Sequence, residues 1–113
     1  MKLSGFTIFV LDIEKASEFY EKLFGMAPSD KSENSCSFTL GQIKYFLHKK
    51  VTREKEMPQN EDHVEFKVED MRKEVTRLKN GGFVLENEPK EYYWGISAYL
   101  RDPEGRFIEL VQK

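Results

Sequence analysis

Apolar and polar residues alternate along residues 5–12, where Phe6, Ile8 and Val10 share one parity and the run stops at Asp12. Residues 63–70 repeat the arrangement: Val64, Phe66 and Val68 share a parity, and the run stops at Asp70. Successive side chains on a strand point to opposite faces, so both runs predict strands with one buried face. After each Asp the period lengthens to that of a helix. Ala16, Phe19, Tyr20, Leu23 and Phe24 form an apolar stripe that predicts a helix ended by Gly25. Met71, Val75 and Leu78 form a narrower stripe, stopped by Gly81 and Gly82. A carboxylate at Asp12 or a near neighbour suits the helix start, because it accepts from exposed N–H groups and faces the positive end of the helix dipole.

The two halves also close alike. Residues 43–50 and 107–113 both alternate and finish in polar residues. Between helix and closing strand, residues 35–40 predict one strand in the first half, and residues 83–86 and 95–101 predict two in the second. Asp102, Pro103, Glu104 and Gly105 predict a tight turn into the last strand, since Pro presets φ and Gly tolerates a positive φ. Residues 51–61 are rich in charge and poor in apolar side chains, the composition of a linker. The recurrence of period, cap and stop predicts an α+β fold built as two βαβββ modules, whose mixed sheets, if curved, would surround a cleft. It predicts a single domain over 1–113, with module 1 near 1–50, the linker near 51–61 and module 2 near 62–113.

Strand parity sorts the side chains into two faces. Phe6, Ile8, Val10, Ile43, Tyr45, Leu47, Val64, Phe66, Val68, Ile108 and Leu110 make an apolar face that is expected to pack under the helices. The opposite face carries Gly5, Thr7, Phe9, Lys44, Phe46, His48, His63, Glu65, Lys67, Phe107, Glu109 and Val111. Rings, hydroxyls and charges mixed in this way suit a small-molecule cleft, a subunit contact or both.

Composition narrows the classes of partner. The chain has 113 residues with 34% charged and 39% hydrophobic, enough to build a core without disulfides or a structural metal. A net charge of -2, with both signs interspersed, supplies neither a nucleic-acid footprint nor a basic membrane stripe. Cys36 is the one cysteine, which excludes an internal disulfide and a cysteine-rich zinc site; it is expected to pack quietly. The short apolar run near the N-terminus lacks the pattern of a secretion signal, so a cytoplasmic protein is expected. Ser4, Thr7 and Ser97 lack a nucleophile motif, and no Lys-Ser/Thr follows Gly81 and Gly82 to make a phosphate loop.

Two motifs carry a resemblance. Val10-Leu11-Asp12-Ile13-Glu14-Lys15-Ala16-Ser17-Glu18-Phe19-Tyr20, running on to Leu23-Phe24-Gly25, resembles the opening of vicinal-oxygen-chelate proteins. Tyr99-Leu100-Arg101-Asp102-Pro103-Glu104-Gly105-Arg106-Phe107-Ile108-Glu109-Leu110 resembles their closing motif. That superfamily includes glyoxalases, bleomycin-resistance proteins and extradiol dioxygenases. The resemblance implies four metal-ligand points, at Gly5, Phe46, His63 and Glu109 in this sequence. Gly5 and Phe46 cannot ligate, whereas a catalytic metal normally takes about three protein ligands plus an open position. His63 and Glu109 would then be vestigial metal positions, bonded to each other or to solvent. Alternatively they hold a metal weakly, with His48 as a third ligand. In a further reading they touch a bound ligand, with His63 as proton carrier and Glu109 as acceptor or base, the candidates for any catalytic role.

What the resemblance implies for function is a metal-independent protein of the bleomycin-resistance type, which binds an antibiotic-like or aromatic ligand in a cleft at a homodimer interface. Such a protein needs no cofactor. The expected ligand-binding residues are Thr7, Phe9, Phe46, His48, His63, Glu65, Trp94, Phe107 and Glu109, with Tyr92 and Tyr93 beside Trp94. The alternatives are a glyoxalase-like lyase or isomerase, or a fosfomycin-type thiol transferase, using a divalent metal. A non-catalytic dimeric regulatory module is the remaining alternative.

Overall fold

The computed structural model describes residues 1–50 and 61–113, so the predicted linker lies outside the described residues except for its last position, Glu61. The chain divides into two compact units, residues 5–62 and residues 1–4 with 63–113. Among the described residues each unit forms a βαβββ arrangement.

In the N-terminal unit the elements are β1 (Lys2–Val10, whose first residues count with the other unit), α1 (Ile13–Phe24), β2 (Asp30–Lys31), β3 (Ser35–Leu40) and β4 (Ile43–Lys49). The strands lie in the order β2-β3-β4-β1; β1 runs parallel to β4 and the other pairs are antiparallel. Asp12 caps α1 by accepting from Lys15 N at 3.0 Å, and Gly25 ends it with a left-handed φ of 65°. The core is Ile13, Cys36, Phe38 and Leu47, with Ile8, Val10, Tyr20, Phe24 and Tyr45 packed against it. Cys36 is fully buried there, as expected of a quiet core cysteine.

The apolar stripe of α1 needs correction. Phe19 and Leu23 are 60% and 63% exposed, while Ile13 and Ser17 are buried. The buried face follows Ile13, Ser17, Tyr20 and Phe24, rotated from the stripe that counting apolar residues suggested. Phe6, expected under the helix, is also partly exposed, at 37%.

The C-terminal unit contains β5 (His63–Lys67), α2 (Met71–Asn80), β6 (Asn87–Tyr92), β7 (Gly95–Arg101) and β8 (Phe107–Gln112). Its strands lie in the order β5-β8-β7-β6, with β5 parallel to β8. Asp70 caps α2 through Lys73 N at 3.1 Å, and Met71, Val75 and Leu78 pack with Val68, Ala98, Leu100 and Leu110. The turn at Asp102–Gly105 forms as expected: Gly105 N donates to Asp102 O at 2.9 Å and Gly105 has φ 85°.

The strand expected at residues 83–86 is not formed. Phe83 and Val84 are exposed, Leu85 alone of that run packs on the core, and the strand begins at Asn87. Residues 87–92 hold Pro89 among charged side chains, and the ladder with β7 shifts register between Asn87 and Lys90. Such a sequence suits the outermost strand of the order, where a missing N–H and a bulge cost no paired neighbour. No helix among the described residues is long and apolar enough to cross a membrane.

Candidate functional site

The mixed faces predicted from parity are more buried than an ordinary surface. In β1 Gly5, Thr7 and Phe9 are buried, and in β5 and β8 so are His63, Phe107, Glu109 and Val111. Lys67 is exposed, and Glu65, Phe46 and His48 are half-buried.

In the N-terminal unit β1 and β4 bring three of the expected residues together. The register pairs Phe9 with His48 and Thr7 with Phe46. Ring centroids of Phe9 and His48 lie 5.7 Å apart, and those of Phe46 and His48 lie 5.8 Å apart. The ammonium of Lys44 stands 4.6 Å from the centre of the Phe46 ring. Phe9 N donates to Asp62 Oδ1 at 2.8 Å, which fixes the end of β1. Gly5 is held by a close approach: a Cβ there would lie 2.5 Å from the carbonyl oxygen of Lys44.

In the C-terminal unit a hydrogen-bond cluster centres on Glu109. His63 Nε2 donates to Oε1 at 3.0 Å, while Ser97 Oγ and Tyr99 Oη donate to Oε2 at 2.7 Å and 3.2 Å. Trp94 Nε1 in turn donates to Ser97 Oγ at 2.8 Å. Burial would raise the Glu109 carboxyl pKa, but the bonds from His63, Ser97 and Tyr99, with the field of His63, outweigh it and hold the group below its ordinary range. Burial and the charge of Glu109 push the Tyr99 phenol well above its ordinary value, so it stays protonated and donates. The same two causes raise Tyr92.

Aromatic rings surround this carboxylate. Tyr99 and Phe107 stack at 5.1 Å, and both meet the His63 ring edge-on. Tyr92, the last residue of β6, stacks at 4.4 Å on Trp94 in the hairpin turn, and Tyr93 packs edge-on against Trp94. Glu65 stands apart from the cluster: it accepts from Ser4 Oγ at 2.8 Å and pairs with Lys113 at 3.7 Å. Ser97 and Tyr99 were missed as site residues. The alternation of residues 95–101 carried the signal, because Tyr99 is in register with Glu109 and Ser97 with Val111 on that face.

Among the described residues, no three His, Cys, Asp or Glu side chains gather in a form that could hold a metal ion. Comparison with known proteins places these features. The family described as Glyoxalase/Bleomycin resistance protein/Dioxygenase superfamily matches residues 2–110. The chain belongs to this superfamily. A relative in it, the metallothiol transferase FosB of Shouchella clausii (strain KSM-K16), is 30% identical over 96% of this chain and 77% of its own length. A probable lactoylglutathione lyase of Vibrio cholerae serotype O1 is 26% identical over 89% of this chain and 83% of its own. The solved structure of hypothetical protein BH1468 from Bacillus halodurans C-125 aligns with a TM-score of 0.78 at 19% identity, over 99% of this chain and 94% of that one. The glyoxalase-type α+β fold is thereby established.

Proposed function

We propose that this superfamily member is a metal-independent small-molecule binding protein that takes an aromatic or antibiotic-like ligand on its mixed sheet faces. The donor set carries this reading. Of the four points where the superfamily resemblance would place metal ligands, Gly5 and Phe46 offer no lone pair. Gly5 has no room for a side chain, and the carboxylate oxygens of Glu109 are occupied by His63, Ser97 and Tyr99. These residues do not fit a divalent cation. The ligand-contact residues in this reading are Thr7, Phe9, Phe46 and His48 in the N-terminal unit, and His63, Glu65, Trp94, Phe107 and Glu109 in the C-terminal unit. Rings with a few placed polar groups are the composition that fixes a drug-sized ligand.

We also propose that the protein works in the cytoplasm as a homodimer, which native mass spectrometry checks through a species of twice the chain mass. The direct test of function has two arms. Calorimetric titration with Mn²⁺, Ni²⁺ and Zn²⁺ is expected to show no tight stoichiometric uptake. A thermal-shift screen with aromatic antibiotics is expected to raise the melting temperature, as ligand binding to the folded state must. Tight metal uptake that disappears in His63→Ala would sink the proposal. It would favour the second reading, a metal-dependent thiol transferase or lyase, for which the names of the two relatives are the support.

A further inference from the structure

His48 is distinguished by how its ring is held. Nδ1 lies 2.7 Å from the backbone carbonyl oxygen of Lys49. A carbonyl can only accept, so Nδ1 carries a proton, and in the neutral ring Nε2 keeps its lone pair and has no hydrogen. That is the opposite tautomer to the one that predominates for histidine in water. The ring is half-buried and contacts two phenyl groups, tilted at 57° to Phe9 across the strand pair and at 59° to Phe46 on its own strand. Phe9 is buried and forms the fixed wall, while Phe46, with the Lys44 ammonium over its ring, and His48 are half-buried.

We propose that His48 Nε2 is the acceptor that anchors a planar aromatic ligand bearing an acidic O–H or N–H, a phenol being the simplest case. This rests on the small-molecule reading above and names the ligand class for the N-terminal unit. The backbone bond at Nδ1 fixes both the tautomer and the ring orientation, so the lone pair is prepared before the ligand arrives. The neighbouring rings supply apolar area beside the new hydrogen bond. Selectivity follows from the acceptor. A ligand of the same shape without a donor would cover Nε2 and leave it unsatisfied, which is worth about tenfold in affinity.

The test uses the full chain with two probes, 2-naphthol and 2-methoxynaphthalene, titrated by calorimetry. The naphthol is expected to bind at least about tenfold more tightly. His48→Phe, which keeps a ring but removes the acceptor, is expected to abolish the difference, and His48→Gln, which restores an acceptor oxygen, to recover part of it. The chain has two histidines, so ¹⁵N spectra of the rings are assigned by comparison with His48→Phe. They are expected to show His48 protonated at Nδ1 and its Nε2 resonance moved by the naphthol. Equal binding of the two probes, a preference that survives His48→Phe, or a proton found on Nε2 of the neutral ring overturns the inference while leaving the small-molecule reading in place. Failure of both probes to bind also overturns it. The broader reading falls separately, on tight metal uptake through His63.

Discussion

At the scale of single residues, Glu109 is a buried carboxylate whose charge is held by three donors. Its carboxyl is held below its ordinary range in the folded chain, whereas in the unfolded chain it titrates near about pH 4.3. A depressed folded pKa means that stability from this group is fully present above the unfolded value and is lost as pH falls through the folded one. Urea midpoints measured from pH 6 down to pH 3 are therefore expected to drop below about pH 4.3, and Glu109→Gln is expected to flatten that drop. An unchanged slope in the variant would show that other carboxylates govern the acid limb. His63→Ala acts on the same charge by removing one donor and leaving the carboxylate buried, at a cost of about 3 kcal/mol measured by chemical unfolding. Tyr99→Phe keeps the ring stack with Phe107 and removes only a hydroxyl, so its cost is smaller, about 1–2 kcal/mol. The sequence exposed the His63–Glu109 pair only through the superfamily motif. The alternation of residues 95–101 places Ser97 and Tyr99 on the mixed face, but alternation alone does not say that their hydroxyls meet Glu109.

Helices and strands were legible where burial and chemistry agreed, and misread where they diverged. Both Asp caps and the Asp102–Gly105 turn follow from local rules that tertiary packing does not disturb. In α1 the strongest apolar residues are not the most buried: Phe19 and Leu23 face outward, and the polar Ser17 points into the core. Counting apolar side chains weights Phe19 over Ser17 and rotates the helix accordingly. In β6 the error has the opposite form, since Pro89 and its charged neighbours show no alternation and an outermost strand requires none. The two-residue β2 was likewise too short to leave a pattern. Ser17 gives the prediction at this scale. Its hydroxyl is buried, with no hydrogen-bond partner among the described residues. Ser17→Ala removes that unsatisfied group and raises helix propensity, so it is expected to stabilise by about 1 kcal/mol in thermal or urea unfolding. A destabilised variant would mean that the hydroxyl is satisfied in solution.

For the molecule as a whole, the α+β fold was readable because period, cap and stop recur in both halves, and recurrence averages out the local errors at Phe19 and residues 83–86. The donor set was readable only in part: sequence showed that Gly5 and Phe46 lack side-chain donors, but not that the backbone lies too close to Gly5 for a side chain. Gly5 sits in register with Lys44 across the parallel β1–β4 pair, and an added Cβ would fall 2.5 Å from the Lys44 carbonyl oxygen. Real side chains do not tolerate that approach, and the atom they would meet is backbone that cannot swing aside. Placing donors at these two points with Gly5→His and Phe46→Glu should therefore strain the strand pair before it creates a site. The double variant is expected to melt at a lower temperature than the parent, by an amount corresponding to at least about 2 kcal/mol, and to gain no stability on adding Mn²⁺. Calorimetric melting with and without the metal checks both parts. A variant that keeps the parental melting temperature and is then stabilised by Mn²⁺ would show that β1 and β4 can separate to admit a ligand. The chemistry of this chain would then be limited by the identity of two side chains and not by the backbone.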